Sequence, residues 1–137
     1  MSETFKYPNA TSPTKTLTFQ SESGGSDGHM ISDGESLEYN QIADHTLGGI
    51  PMVRNLGAPF RRWQYTVIVR ITSVSYTDKD DVIEFFSSTY ADGGEKTFVW
   101  TDYASVARTV RMIGGLTIKT ISGTHCEVNM NLELENT

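Results

Sequence analysis

The chain has 137 residues, a formal net charge of −6 and an isoelectric point near 4.9, so its balance of charges disfavours nucleic-acid binding. Such binding depends largely on Lys and Arg side chains that neutralise phosphates. No apolar run approaches the roughly 20 residues of a membrane-spanning helix, and the single cysteine, Cys126, excludes an internal disulfide bond. We therefore expect one domain without a membrane segment, made and folded in a cytoplasm.

The first twenty residues predict one short strand behind an irregular segment. Phe5–Pro13 contains two prolines and several turn-forming residues, so we interpret it as an arm or an edge segment. Thr16–Gln20 then alternates apolar and polar side chains and places Leu17 and Phe19 on one face. This pattern is typical of a strand with one side buried in a core.

Residues 21–60 carry the weakest core signal in the chain. Ser21–Glu35 is rich in Ser, Gly and Asp, which favours a mobile loop. The apolar residues that follow are scattered without a helical period, and they predict short strands and turns around Gly48-Gly49. A loosely structured span of about 40 residues is long for a compact domain, and spans of this kind are often functional. We therefore predict a long plastic loop or arm at about residues 21–60.

The stretch from Trp63 to Trp100 predicts a strand, a helix and a second strand, around which the rest of the chain is organised. Apolar and polar residues alternate in the first strand. Thr77 is the predicted cap of a helix whose apolar residues recur at spacings of three and four, and Gly93-Gly94 ends it. The predicted core residues of this unit are Trp63, Phe85, Phe86, Phe98 and Trp100.

Three further segments alternate apolar and polar residues and predict strands at the C-terminal end. They are Val106–Ile113, Leu116–Ile121 and Glu127–Glu135, and Gly114-Gly115 between the first two indicates a hairpin or a bulge. The whole chain then has about five to seven strands and one helix. We predict a mainly β fold, an antiparallel β-sandwich or split β-barrel with one short helix packed on it.

The sequence contains no strong signature of a catalytic, cofactor-binding or metal-binding site. Asp27-Gly28-His29 together with Asp33-Gly34-Glu35 could supply oxygen ligands to a cation, but the spacing does not match a calcium-binding loop. His125 and Cys126 are neighbours on a predicted strand and therefore point to opposite faces. The Gly-Gly pairs are turn signals, because none belongs to a phosphate-binding motif. We predict no catalytic residues, no metal and no cofactor.

Arginine and aromatic residues are concentrated near the start of the central unit. Interleaved side chains of these types can stack on single-stranded nucleic acid, but the acidic chain favours salt bridges instead. Their partners would be carboxylates of the same chain or of a neighbouring subunit. Two apolar residues of the 21–60 segment are added as candidates for subunit contacts. The interface candidates are Ile31, Ile50, Arg54, Arg61 and Arg62.

From Gly48 onward, the order of these motifs resembles that of small tail proteins of tailed bacteriophages, in the tail-tube, distal-tail and baseplate-collar group. "GIPMVRNLGAPFRRW" leads into a strand, "DVIEFFSSTY" forms a helix that ends in Gly-Gly, and "TFVWTDY", "ASVARTVRMIG" and "CEVNMNLELE" follow. Arg108 departs from the group, which more often has an apolar residue there. The matched positions are Phe85, Phe86, Gly93, Phe98, Trp100, Asp102, Val110, Arg111, Leu134 and Glu135.

The resemblance implies a structural virion protein without catalytic activity. Its expected partners are further copies of itself in a ring, with hexamers expected, and other phage tail or baseplate proteins. The ring would join the tail tube to neighbouring components, and DNA would only pass through its channel. The implied location is the tail or baseplate of the virion, with assembly in the host cytoplasm.

Two other functions are compatible with the residues alone. A small-ligand or carbohydrate binding module could use Trp63, Trp100 and Tyr103 as an exposed aromatic platform. A hydrolase could use the acidic residues and the histidine of the 21–35 segment, although no catalytic motif supports it. The binding platform requires Trp63 and Trp100 to be exposed, whereas the core prediction requires both to be buried.

Overall fold

The computed structural model describes residues 2–20, 30–39, 41–73 and 76–135. These residues form a mainly antiparallel β structure with one short helix, so the predicted fold class is confirmed. Nine strands lie in the described ranges, which is more than the five to seven expected. The elements are β1 (Ser2–Tyr7), β2 (Lys15–Gln20), β3 (Met30–Glu38), β4 (Gln41–His45), β5 (Pro51–Asn55), β6 (Phe60–Arg70), α1 (Lys79–Phe85), β7 (Phe98–Thr101), β8 (Ala107–Thr120) and β9 (His125–Leu134).

Seven strands form one sheet in the order β2-β1-β7-β8-β9-β6-β3, and β4 pairs only with β5. The sheet curls until its two halves face each other. Phe5 on β1 and Tyr65 on β6 are separated by three intervening strands in the sheet order, yet their ring centroids are 5.2 Å apart. Trp63 on β6 and Trp100 on β7 are likewise 5.3 Å apart. The curled sheet therefore encloses one aromatic core and leaves β2 and β3 as its edges.

Period-two alternation explains which residues fill this core. On β6, Trp63, Tyr65, Val67 and Val69 point inward, and every second residue of β9 does the same. The five predicted core residues are all buried: Trp63, Phe85, Phe86, Phe98 and Trp100. The core also contains Cys126, whose thiol pKa is raised by burial.

The helix begins one residue later and ends earlier than the sequence pattern predicts. Asp78, not Thr77, is the N-cap, because its carboxylate accepts a hydrogen bond from the Asp81 amide while the Asp81 carboxylate accepts one from the Asp78 amide. The Thr77 hydroxyl instead donates to the Thr18 carbonyl of β2, 2.9 Å away. After Phe86 the chain continues as turns, consistent with the low helix propensity of the Ser and Thr residues there.

Two interpretations of the N-terminal region are wrong. Phe5–Tyr7, the first part of the predicted segment Phe5–Pro13, is not an arm or an edge, because β1 lies inside the sheet between β2 and β7 and buries Phe5 completely; residues 8–13 form the exposed connection to β2. The mobile loop predicted for Ser21–Glu35 does not extend through its end, since Met30–Glu38 pairs with β6 over nine residues. Residues 21–29 lie outside the described ranges.

Gly93-Gly94 and Gly114-Gly115 each allow a local feature of the main sheet. Gly114-Gly115 does not end a strand; it lies in a bulge of the continuous strand β8, where residues 114–116 oppose the single residue Met130 of β9. Gly94 lies so close to β8 that a Cβ atom added to it would be 2.0 Å from the carbonyl oxygen of Met112. The turn after the helix therefore packs directly on the sheet.

We predict that Phe85→Ala destabilises the fold by about 3–5 kcal/mol, because it removes a fully buried ring from the core. Thermal and denaturant unfolding measure the change. Ile83→Ala on the same helix is the control, since that side chain is exposed and should contribute less than about 1 kcal/mol. Equal losses in the two variants would contradict the placement of the helix.

Candidate functional site

The most exposed apolar surface of the described chain is the hairpin of β4, β5 and their turn, residues 41–55, which we call the β4–β5 arm. All ten of its strand residues are exposed. Its strands pair with each other and with no strand of the main sheet in the described ranges. Five apolar side chains of the arm are each more than half exposed: Ile42, Leu47, Ile50, Met52 and Val53.

The arm is the outer half of one long hairpin. β3 and β6 form its inner half, which belongs to the main sheet, and the two halves meet between Glu38 and Gln41 on one side and between Asn55 and Phe60 on the other. Residues 56–59 separate β5 from β6 at this junction, so the ladder is interrupted there. The chain thus builds the arm by extending two paired strands of the main sheet, of which β6 lines the core and β3 is an exposed edge strand.

Local hydrogen bonds form the turn and the base of the arm. The Thr46 amide donates to the Ile50 carbonyl at 2.9 Å, and Gly49 adopts a φ of 82°, which glycine reaches without strain. At the base, the Gln41 side-chain amide donates to Asn55 Oδ1 at 2.9 Å. Consecutive strand residues point to opposite faces, so Met52 and its neighbour Val53 make both faces of the arm apolar.

The sequence-predicted interface residues occupy different environments. Ile50 and Arg54 lie on the exposed arm, whereas Ile31 is partly buried and packs against the core. The Arg61 guanidinium is paired with Glu35, with Nη2 2.6 Å from Oε1. Arg62 contacts two carboxylates of its own chain, Glu38 at 3.0 Å and Glu133 at 2.8 Å.

Arg61 and Arg62 therefore form salt bridges with carboxylates of their own chain, which is one of the two kinds of partner that the sequence leaves open. Arg62 also lines a cleft of about 450 Å³ on the outer face of the sheet, beside Gly34 and Asn131. Because the guanidinium in this cleft is already held by two carboxylates, it is a structural clamp between β3, β6 and β9.

The aromatic platform expected of a binding module does not exist, because two of its three rings are in the core. Trp63 and Trp100 are 3% and 1% exposed, and only Tyr103 faces solvent. The Arg108 guanidinium stacks on both tryptophans, 5.2 and 5.3 Å from their ring centroids, and forms an ion pair with Asp102. A charge thus replaces the apolar residue expected at position 108, because two indoles and a carboxylate surround it.

Asp102 is held in its ionised form. Burial alone would raise its pKa, but the Arg108 guanidinium and the backbone amides of Val106 and Ala104 donate hydrogen bonds to it, so its pKa lies below the usual value of 3.8. A lowered carboxyl pKa stabilises the folded state above the unfolded pKa, and this contribution is lost as the pH falls through the folded value.

The pKa of a second buried carboxyl group, that of Glu3 on β1, is shifted in the opposite direction. Glu3 is 3% exposed, and its Oε1 accepts a hydrogen bond from Trp100 Nε1 at 3.1 Å. Burial raises its pKa to about 7; the hydrogen bond from Trp100 opposes this shift, and the negative charges of Asp33 and Asp102 add to it. Nothing in the local sequence pattern distinguishes Glu3 from an exposed strand residue, so sequence reasoning missed it.

Within residues 2–20, 30–39, 41–73 and 76–135, no group of three or more His, Cys, Asp or Glu side chains is placed to hold a metal ion. Asp27 and His29 lie outside these ranges, and Asp33 is part of strand β3. The one helix in the described residues, α1, is not long and apolar enough to cross a membrane.

Comparisons with known proteins define no family for this chain. No protein-family model matches the sequence, and no curated protein matches it. Among solved structures, a chain from the tail of an empty GTA particle with C6 symmetry is similar, with a TM-score of 0.42 and 12% sequence identity. The similarity covers 78% of this chain and 76% of that one. Scores at this level describe a loose likeness of shape.

We predict that Asp102→Ala lowers the free energy of unfolding by about 3–5 kcal/mol, because it leaves the Arg108 guanidinium largely buried without its counter-charge. Denaturant unfolding at neutral pH measures the effect. Glu35→Ala is the matched control: it removes the partner of Arg61 at the surface, where an ion pair contributes at most about 1 kcal/mol. Two similar losses would show that the Arg108 cluster is no more important than a surface pair.

Proposed function

We propose that this chain is a structural protein of a phage tail and that it acts by assembling with further copies of itself into a ring. The observation that carries the proposal is the β4–β5 arm, whose apolar residues are exposed on both faces. Large exposed apolar surfaces usually mark sites of protein–protein contact. The sequence resemblance to small tail proteins supplies the setting in which such contacts form.

Charge favours a second copy of the chain as the occupant of the arm. The arm contains one acidic residue, Asp44, and one basic residue, Arg54, so it is formally neutral within a chain of net charge −6. A neutral apolar arm approaches another acidic copy without the repulsion that the remaining surface would produce. Arg54 adds a cation that can pair with a carboxylate of that copy.

The β3 edge of the main sheet offers a second type of contact, whereas the middle of the β2 edge is already occupied, because the Thr77 hydroxyl bonds to both the amide and the carbonyl of Thr18. β2 pairs only with β1, and β3 pairs only with β6 in the described ranges, so each strand has one side whose backbone groups face no other strand. An exposed edge is a template for pairing with a strand of another molecule. Pairing of the β3 edge of one copy with a strand of the next copy would extend the sheet across the subunit contact.

The sequence resemblance to small tail proteins also supports a sixfold ring in the tail or baseplate. Six copies would carry a formal charge of about −36, six times −6. Binding to phosphates increases with the number neutralised, so an acidic channel would let DNA pass without holding it. The ring would join the tail tube to neighbouring tail or baseplate proteins, and this role requires no catalysis.

The ligand-binding alternative has no comparable support. Its platform needed Trp63 and Trp100 at the surface, and both are buried against Arg108 and each other. Tyr103 alone provides one exposed ring, which does not form a stacking surface.

We predict that the purified protein forms rings or tubes and that the triple variant Ile50→Ser, Met52→Ser and Val53→Ser does not. Each substitution removes apolar surface worth about 1 kcal/mol when buried, so the three together should weaken association by more than about 100-fold. Sedimentation velocity and negative-stain electron microscopy measure assembly, and thermal unfolding tests whether the monomer remains folded.

The matched control replaces three exposed apolar residues outside the arm, Ile83, Val106 and Ile121, by serine. This variant should assemble like the wild type. The proposal would be wrong if the wild type stayed monomeric at high concentration, or if the arm variant formed complete rings at the same concentration as the control.

A further inference from the structure

The carboxyl group of Glu3 is buried in the core without a cation to neutralise it in the described chain. Its backbone lies in β1, where Glu3 is opposite Phe19 of β2 and the next residue, Thr4, is opposite Thr101 of β7. The only hydrogen bond described for its side chain is the one donated by Trp100 Nε1. This arrangement accepts a neutral carboxylic acid more readily than a carboxylate.

The groups that face Glu3 from the other strands reinforce this preference. β6 contributes Tyr65, whose buried hydroxyl has no hydrogen-bond partner in the described residues. β3 contributes Asp33, and Asp102 follows β7; both carry negative charges that act on Glu3. The nearby cation on β8, Arg108, is engaged by Asp102. An ionised Glu3 would therefore meet the Tyr65 side chain, the Trp100 indole and two like charges.

We propose that Glu3 is a protonation-sensitive latch for the N-terminal end of β1. With a neutral carboxyl, β1 stays between β2 and β7. Ionisation favours states in which residues 2–4 separate from their neighbours and the carboxylate reaches water. This device is independent of the arm and of the proposed assembly.

The direction of the pH dependence follows from the folded and unfolded pKa values. Folding raises the pKa of Glu3 from 4.5 to about 7, so between these values the folded state binds a proton that the unfolded state has released. Stability contributed by this group is therefore complete below pH 4.5 and falls as the pH rises to about 7. Since each pKa unit is a factor of ten, the population of the open state should rise on the order of 100-fold across this window.

The test is amide hydrogen exchange of residues 3–5 in the wild type and in Glu3→Gln, at pH 5 and pH 8, with rates corrected for the intrinsic effect of pH. Gln keeps an oxygen that accepts from Trp100 but does not ionise. We expect protection of β1 in the wild type to fall on the order of 100-fold between the two pH values, while Glu3→Gln changes by less than about threefold. Glu95→Gln, which removes an exposed carboxylate, should behave like the wild type.

A second variant tests the latch without altering Glu3. Asp33→Asn removes one of the negative charges that act on the buried carboxyl, so the midpoint of the protection change should move to lower pH. Tryptophan fluorescence, to which Trp100 beside the Glu3 carboxyl contributes together with Trp63, provides an independent readout of the same transition. Equal protection of wild-type β1 at both pH values, or an unchanged pH dependence in Glu3→Gln, would overturn the proposal.

Discussion

Contact between aromatic side chains from opposite halves of the curled sheet is the interaction on which the structure depends. Phe5 packs on Tyr65, and Trp63 packs on Trp100, although these pairs come from strands that are not neighbours. These contacts close one core and set the position of Glu3 and Arg108 beside it. They also explain why the sheet has two edges, because the halves meet through side chains and not through a backbone ladder between β2 and β3.

The alternation of apolar and polar residues along the sequence correctly predicts strands that bury every second side chain in the core. β9 and the Leu17 and Phe19 face of β2 are examples, since a period of two directly indicates which residues point inward. β1 was misinterpreted because its segment is followed by prolines, and its burial depends on pairing with β7, almost 100 residues away. The helix cap was placed one residue early because Thr77 and Asp78 are both good caps, and a tertiary hydrogen bond to Thr18 decides between them.

The candidate site was predictable in part, for physical reasons that differ between residues. Ile50 and Arg54 lie in a segment with too few periodic apolar residues to bury itself, which made an exposed arm a reasonable expectation. For Arg61 and Arg62 the sequence left two kinds of partner open, and cross-strand geometry assigns them carboxylates of their own chain. Glu3 was not predictable, because its contact with Trp100 forms only when β1 pairs with β7, almost 100 residues further along the chain.

The continuity of the arm with β3 and β6 has a mechanical consequence. A force applied to the β4–β5 arm along its strands would reach the body of the protein through both strands at once. β6 is joined to β9 over nine residue pairs, and hydrogen bonds in an antiparallel ladder run perpendicular to the strands. Sliding β6 along β9 would strain all of these bonds together, whereas peeling an edge strand breaks them one after another. The whole β6–β9 ladder would thus resist tension applied through the arm.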